Sequence, residues 1–343
     1  MSKHRDSSLA TGQRAGRRRL LLAAAVAAPF VAGIGAAQAQ SSDWPTKAIH
    51  IVAAQAPGSS NDATARALAD YMGQKLGVAV AVENKSGGGS MIAASHVARS
   101  APDGHTILIA LNSQLAQAPV MMKNPPMDPD KDLIPFASVG VGPVTGVVHK
   151  DFPAQSVAEL VEYAKTNNVN VGNYAIGSGW QLMLGQLGKE TGADFNIVNY
   201  KGTGAMLVDL YSGRVDIGAG SLAGMGAGIE AGNVNPIVVF SQKRSSRLPD
   251  VPTWVEAGYT GPAFEHLIES NVLYVPTGTP PDIVEKLAQL VADSYKESER
   301  MQNVHKTLAE DNPPIIGADL TRFIEQSWPS YRKLSVELGI GGN

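Results

Sequence analysis

Apolar positions along this chain switch repeatedly between two periods. Ala48-Ile49-His50-Ile51-Val52-Ala53 is a short, largely apolar run of the kind that forms a buried strand. Over 63–76, Leu68, Met72 and Leu76 recur at i, i+4 and i+8 and share one face of a helix. The same reading predicts strands over 78–82, 106–111, 169–174, 197–200, 215–217, 237–240 and 272–275. Helices are predicted over 90–99, 157–165, 181–191, 205–211, 280–296 and 320–338. This alternation implies α/β layers with largely parallel sheets. No fixed-period repeat interrupts it.

The first 39 residues follow a different pattern. Arg14, Arg17, Arg18 and Arg19 precede an apolar run that starts at Leu20, and Ala37-Gln38-Ala39 ends it with small residues. That is an export signal, with cleavage expected after Ala39 by the general or the twin-arginine route. The segment carries six basic side chains and one acid, so its removal takes the formal charge from −3 to −8. A soluble periplasmic protein is expected.

Composition narrows the chemistry. The chain has 343 residues, a length for two domains, and 44% hydrophobic residues, enough for a real core. Its net acidity argues against a nucleic-acid partner. It has no cysteine, which excludes thiol catalysis, disulfides, cysteine-ligated metals and a lipoprotein anchor. No serine sits in G-x-S-x-G, and His4, His50, His96, His105, His149, His266 and His305 show no metal-ligand spacing. Neither a cofactor nor a metal is expected.

Two capping boxes stand out. Ser59-Ser60-Asn61-Asp62 follows the first strand after the Pro57-Gly58 turn, and Ser178-Gly179-Trp180-Gln181 follows the 169–174 strand after Gly177. In each, a serine hydroxyl accepts an N–H three residues on, and the Asp or Gln reaches back. Each helix start then presents unpaired N–H groups and the positive end of a dipole, a ready anion site. No basic residue lies within either turn. Ser156 to Glu159 and Thr279 to Asp282 read as similar boxes.

Seven phrases in order give the chain a resemblance to the Bug family, the extracytoplasmic receptors of tripartite tricarboxylate transporters. They are Gln55-Ala56-Pro57-Gly58-Ser59-Ser60-Asn61-Asp62, Val82-Glu83-Asn84-Lys85-Ser86-Gly87-Gly88-Gly89, Ala101-Pro102-Asp103-Gly104-His105-Thr106, Tyr200-Lys201-Gly202, Gly213-Arg214-Val215-Asp216, Arg247-Leu248-Pro249-Asp250-Val251-Pro252-Thr253 and Pro276-Thr277-Gly278-Thr279-Pro280. The resemblance implies a type II periplasmic-binding-protein fold, with two α/β lobes, a ligand cleft and two crossovers. It implies a first lobe of 43–142 plus 266–343 and a second of 143–265. It further implies a monomer that closes on a small organic carboxylate and offers it to membrane transporter subunits.

The ligand-binding positions expected on this basis are Ala56, Gly58, Ser59, Ser60, Asn61 and Asp62 in the first turn. Gly177, Ser178, Gly179, Trp180 and Gln181 make up the second. Asn112, Ser113 and Gln114, read as the end of a strand, and Ser221, read as opening a helix, complete the set. The chain also departs from the family pattern. Ser59 replaces a glycine, Trp180 and Met183 stand where a small hydroxyl residue and a histidine are common, and Glu269-Ser270-Asn271 lacks a common tryptophan. An indole at a helix start suggests a stacking platform and an aromatic carboxylate such as terephthalate. The alternative is an exported NADP-dependent oxidoreductase that uses the Gly218–Gly224 stretch as a dinucleotide turn, with Lys243 and Arg244 at the next strand's end.

Overall fold

The computed structural model describes residues 43 to 340 except 242, 266, 268 and 311; the export segment lies outside the described residues. The chain first lays down β1 (Ile49–Ala53), α1 (Ser60–Leu76), β2 (Val80–Asn84), α2 (Met91–Ala98), β3 (Thr106–Leu111), α3 (Asn112–Met121), α4 (Pro129–Asp132) and β4 (Leu133–Gly140). It then passes to a second sheet through 141–143. There it forms β5 (Val144–His149), α5 (Val157–Ala164), β6 (Val169–Asn173), α6 (Gly179–Thr191), β7 (Phe195–Asn199), α7 (Thr203–Tyr211), β8 (Ile217–Ser221), α8 (Leu222–Glu230) and β9 (Val234–Phe240). The return through 241–269 includes α9 (Pro262–Glu265) and leads to β10 (Ser270–Pro276). The chain finishes with α10 (Pro281–Glu297), α11 (Glu299–Leu308), β11 (Ile315–Ile316) and α12 (Gly317–Glu337).

The first sheet has the order β11-β4-β10-β3-β1-β2, and the second β7-β6-β8-β5-β9. Strands β1, β2 and β3 pair in parallel, as do β6, β7 and β8. However, β10 is antiparallel to both β3 and β4, and β5 is antiparallel to both β8 and β9. The expectation of largely parallel sheets is therefore corrected. Each passage between sheets inserts one strand that starts at the gap, β5 or β10, between two strands that end there. Such a strand must run against its neighbours.

Apolar burial organises both lobes. Ile49, Ile51, Leu68, Met72, Phe136, Leu273 and Leu287 pack on one face of the first sheet. A second core joins Leu108, Leu115, Trp328 and Tyr331 with Val147, Leu160, Val171 and Leu182. Each such aliphatic side chain contributes about 1.5–3 kcal/mol by leaving water. The second core is shared between the lobes, since α12 packs against both α3 and α6.

Several predicted bounds shift. Helix α1 starts at Ser60 and α6 at Gly179, each directly after its capping serine. Asn112, Ser113 and Gln114 open α3 rather than end a strand. The 215–217 strand lies at Ile217–Ser221 instead, which places Gly218 and Gly220 inside β8 rather than in a turn. A Cβ on Gly220 would stand 2.7 Å from the Thr203 methyl, and one on Gly224 3.0 Å from it. These glycines let α7 pack closely on β8 and α8, which accounts for their spacing without a dinucleotide. Arg244 is engaged by Glu256 at 2.9 Å.

Three of the four expected boxes form. Ser59, Ser156 and Ser178 accept the N–H groups of Asp62, Glu159 and Gln181 at 3.2, 3.2 and 3.3 Å. Thr279 does not; its hydroxyl donates to the Pro276 carbonyl at 2.7 Å, and Pro280 precedes α10 without a side-chain cap.

Asp62 also receives Gly58 N–H at 3.0 Å, Asn84 Nδ2 at 3.0 Å and the Arg66 guanidinium at 2.9 Å. Burial pushes this carboxyl up, but the bonds from Arg66, Gly58 and Asn84 together outweigh burial and hold it below its ordinary value of 3.8. A depressed acid stabilises the fold above its unfolded pKa, and the contribution is lost as pH falls through the folded one. Asp62→Asn should therefore cost about 1–3 kcal/mol at neutral pH. The deficit should shrink steadily below the ordinary 3.8, as measured by urea unfolding across a pH series.

Candidate ligand-binding cleft

Strands β1, β3, β6 and β8 each run into the start of a helix at the gap between the two sheets. The gap holds a cavity of about 30 Å³ walled from one side by Gln55, Gly58, Ser59, Ser60 and Leu111 and from the other by Val144, Tyr174, Thr203, Ser221 and Gly224, with Val141 and Glu269 from the two passages. An adjoining cavity of about 150 Å³ shares Gln55 and Tyr174 and is walled by Ser86–Ser90, Gln114, Ala175, Ile176 and Asn199–Lys201. Between them, the two hollows touch residues from both sheets. Their only charged wall residues are Glu269 and Lys201.

The first expected turn meets this space. Gly58 takes φ +84°, a left-handed conformation that favours glycine and aims the following residues at the cavity. Ser59 and Ser60 line the wall, and the Ser60 and Asn61 N–H groups lie in the first turn of α1, where no intrahelical acceptor exists. Asn61 and Asp62 hold the turn in place. Asn61 Oδ1 accepts the Ala54 N–H at 3.0 Å, while its Nδ2 donates to Asn271 at 3.1 Å. Ala56 stands opposite Gly202.

The second turn is built differently from the expectation. Its box is intact, with Gln181 Oε1 accepting the Gly177 N–H at 3.0 Å and Ser178 donating to Asn173 at 2.6 Å. The anion at its helix start, however, belongs to the protein. Glu269 Oε1 accepts Gly179 N–H at 2.5 Å and Tyr174 O–H at 2.9 Å, while Oε2 accepts Ser113 O–H at 2.8 Å. Glu269 is 8% exposed. Its burial pushes the carboxyl pKa up, and the three donors oppose that shift. Burial, reinforced by Glu269, drives the Tyr174 hydroxyl well above its usual value, so it stays a donor. A Cβ at Gly179 would lie 3.0 Å from Glu269 Oε1, so any larger residue there would press on this carboxylate.

Trp180 is also placed otherwise. It is 1% exposed, stacks on Phe240 at 5.4 Å, leans on Trp254 and donates its N–H to the Gly172 carbonyl at 3.3 Å. It packs in the core and presents no face to the cavity, so it is not a stacking platform. The α3 residues are occupied as well. Asn112 accepts from Trp328 at 2.6 Å, and Gln114 donates to the Ile176 carbonyl at 2.9 Å while accepting from Ser90. Ser221 does line the cavity and caps α8, accepting Gly224 N–H at 3.4 Å.

Sequence reasoning overlooked Glu269, Gln55, Tyr174, Thr203 and Lys201 as cleft walls. Two signals were present: Glu269 sits in a phrase that departs from the family pattern, and Lys201 lies within a matching one. Among the described residues no group of three acids or histidines gathers that would hold a metal ion.

Comparison with known proteins agrees with this architecture. The family profile described as "Tripartite tricarboxylate transporter family receptor" matches residues 64–333. BugT of Bordetella pertussis is 33% identical over 87% of this chain and 91% of its own. The solved structure of R. palustris Rpa4515 with adipate has a TM-score of 0.79 at 29% identity, covering 87% of this chain and 99% of that one. MatC from Rhodopseudomonas palustris, with bound malate, has a TM-score of 0.75 at 27% identity, covering 84% and 99%. The profile match over most of the chain, with relatives of this identity, shows that the chain belongs to the tripartite tricarboxylate transporter receptor family.

Proposed function

We propose that this chain is a periplasmic receptor that captures a small organic carboxylate in the cleft and delivers it to the membrane subunits of a tripartite tricarboxylate-type transporter. The observation that carries the reading is the start of α1, whose first N–H groups have no intrahelical acceptor and whose residues Gly58, Ser59 and Ser60 line a cavity walled from both sides of the gap. Adipate and malate in related receptors support a carboxylate ligand. The passages 141–143 and 241–269 act as a hinge between a first lobe of 43–142 plus 266–343 and a second of 143–265. Separation of the lobes opens the narrow cavity, and a ligand that touches both walls binds the closed form better and so drives closure. The receptor works as a monomer after removal of residues 1–39. It performs binding without chemistry. An aromatic acid such as terephthalate loses its main support, because Trp180 is enclosed in the core.

A thermal-shift screen of mono-, di- and tricarboxylates tests the reading. A ligand at a hundredfold excess over its Kd should stabilise the fold by about 2.7 kcal/mol, and a flat profile across all acids would refute a carboxylate receptor. Ser60→Pro gives a sharper test, since proline is tolerated at the first helical position but lacks the N–H. It should weaken the best acid from the screen by about tenfold or more, the worth of a hydrogen bond to a charged group. Ser60→Ala, which keeps the N–H, should retain most of the affinity. Trp180→Phe should leave that affinity within about threefold, whereas Trp180→Ala should cost stability, about 3–5 kcal/mol in chemical unfolding.

A further inference from the structure

We infer that Glu269 sets which carboxylates this cleft accepts: the protein's own carboxylate fills the start of α6, so the ligand presents one carboxylate elsewhere in the cleft and turns a hydrogen-bond donor, a protonated amine or a hydroxyl, toward Glu269. The inference rests on the carboxylate-receptor reading and deepens it.

Geometry carries the argument. Helix α6 begins at the gap with its capping box complete, so its Gly179 N–H is the group an incoming anion would meet. Glu269 takes that N–H at 2.5 Å and lines the cavity on its other side. Tyr174 and Ser113 complete the grip at 2.9 and 2.8 Å, so the carboxylate is held by three donors from two lobes and is not a loosely placed surface acid. A ligand carboxylate arriving at this wall would face a second carboxylate inside a narrow cavity, where like charges at close range repel. An ammonium or hydroxyl would instead satisfy the remaining lone pairs of Oε2.

Charge along the cleft supports the same orientation. Among the described residues that wall these two hollows, Glu269 is the sole acid, and Lys201, the sole base, lines the one beyond Gln55 and Tyr174; on a further hollow of about 590 Å³ Glu269 stands with Lys243, Arg244, Glu265 and Glu310. The cleft thus has a negative pole at Glu269 and positive character at Lys201 and the α1 start. A molecule with one anionic end and one donor end matches this field, and a symmetric dicarboxylate does not.

Calorimetric titration of the purified chain with length-matched acids decides the matter. The four-carbon set is succinate, 4-hydroxybutyrate, 4-aminobutyrate and butyrate; the three-carbon set is malonate, 3-hydroxypropanoate, β-alanine and propanoate. In the set that binds better, the amine or hydroxyl acid should bind at least tenfold tighter than the dicarboxylate of equal length. In Glu269→Gln that ratio should fall to threefold or less, with the dicarboxylate gaining affinity. A wild-type receptor that holds the dicarboxylate tightest, or a ratio unchanged by Glu269→Gln, overturns the role of Glu269 while leaving the carboxylate receptor intact. If the variant fails to fold, the wild-type ratio alone decides. Silence toward every organic acid removes the receptor reading and this inference together.

Discussion

Backbone N–H groups at helix starts cannot be left unsatisfied, and the cleft is organised around that constraint. A helix that begins at the end of a buried strand exposes its first donors wherever the strand stops. Here several strands stop at one gap, so several helix starts converge on one small volume. Each must find an acceptor. The capping serines supply one for each box, and Asp62 and Gln181 supply another. At α6 the protein goes further and adds a buried carboxylate.

That difference separates two helix starts that look alike in sequence. The α1 start is fixed by its own side chains, through Asn61 to β10 and through Asp62 to Arg66 and Asn84. Its residues Gly58, Ser59 and Ser60 line the cavity. The α6 start is fixed from the gap itself, by a residue on the return passage between the sheets. Glu269 therefore lines the cavity and also bridges α3 and β10 to the second lobe through Ser113 and Tyr174.

Glycine spacing shows how one local pattern can serve different ends. Gly218, Gly220 and Gly224 have the look of a nucleotide turn, yet their missing side chains make room for Met206 and Thr203 on α7. The close approach brings Thr203 and Ser221 together in the cavity wall. Tight packing of a helix on a strand and the shaping of a binding surface are here the same event.

Local physics was legible in the chain itself. The period of apolar residues marked many strands and helices within a few positions but gave no element for β4, β5, α8 or α11, and serine followed three residues later by Asp, Glu or Gln located three true helix starts. Periodicity did not reveal the passages between sheets, since β4 and β5 are joined only by the short 141–143 link; the lobe bounds came from the family resemblance instead. Nor could the chain reveal that Trp180 turns inward to Phe240, or that Glu269, 90 residues beyond Gly179, delivers its carboxylate to that amide. Periodicity and capping act over a few residues and are written in sequence order. The filling of a helix start by a distant acid depends on where two chain segments meet, and only the packed tertiary structure decides that.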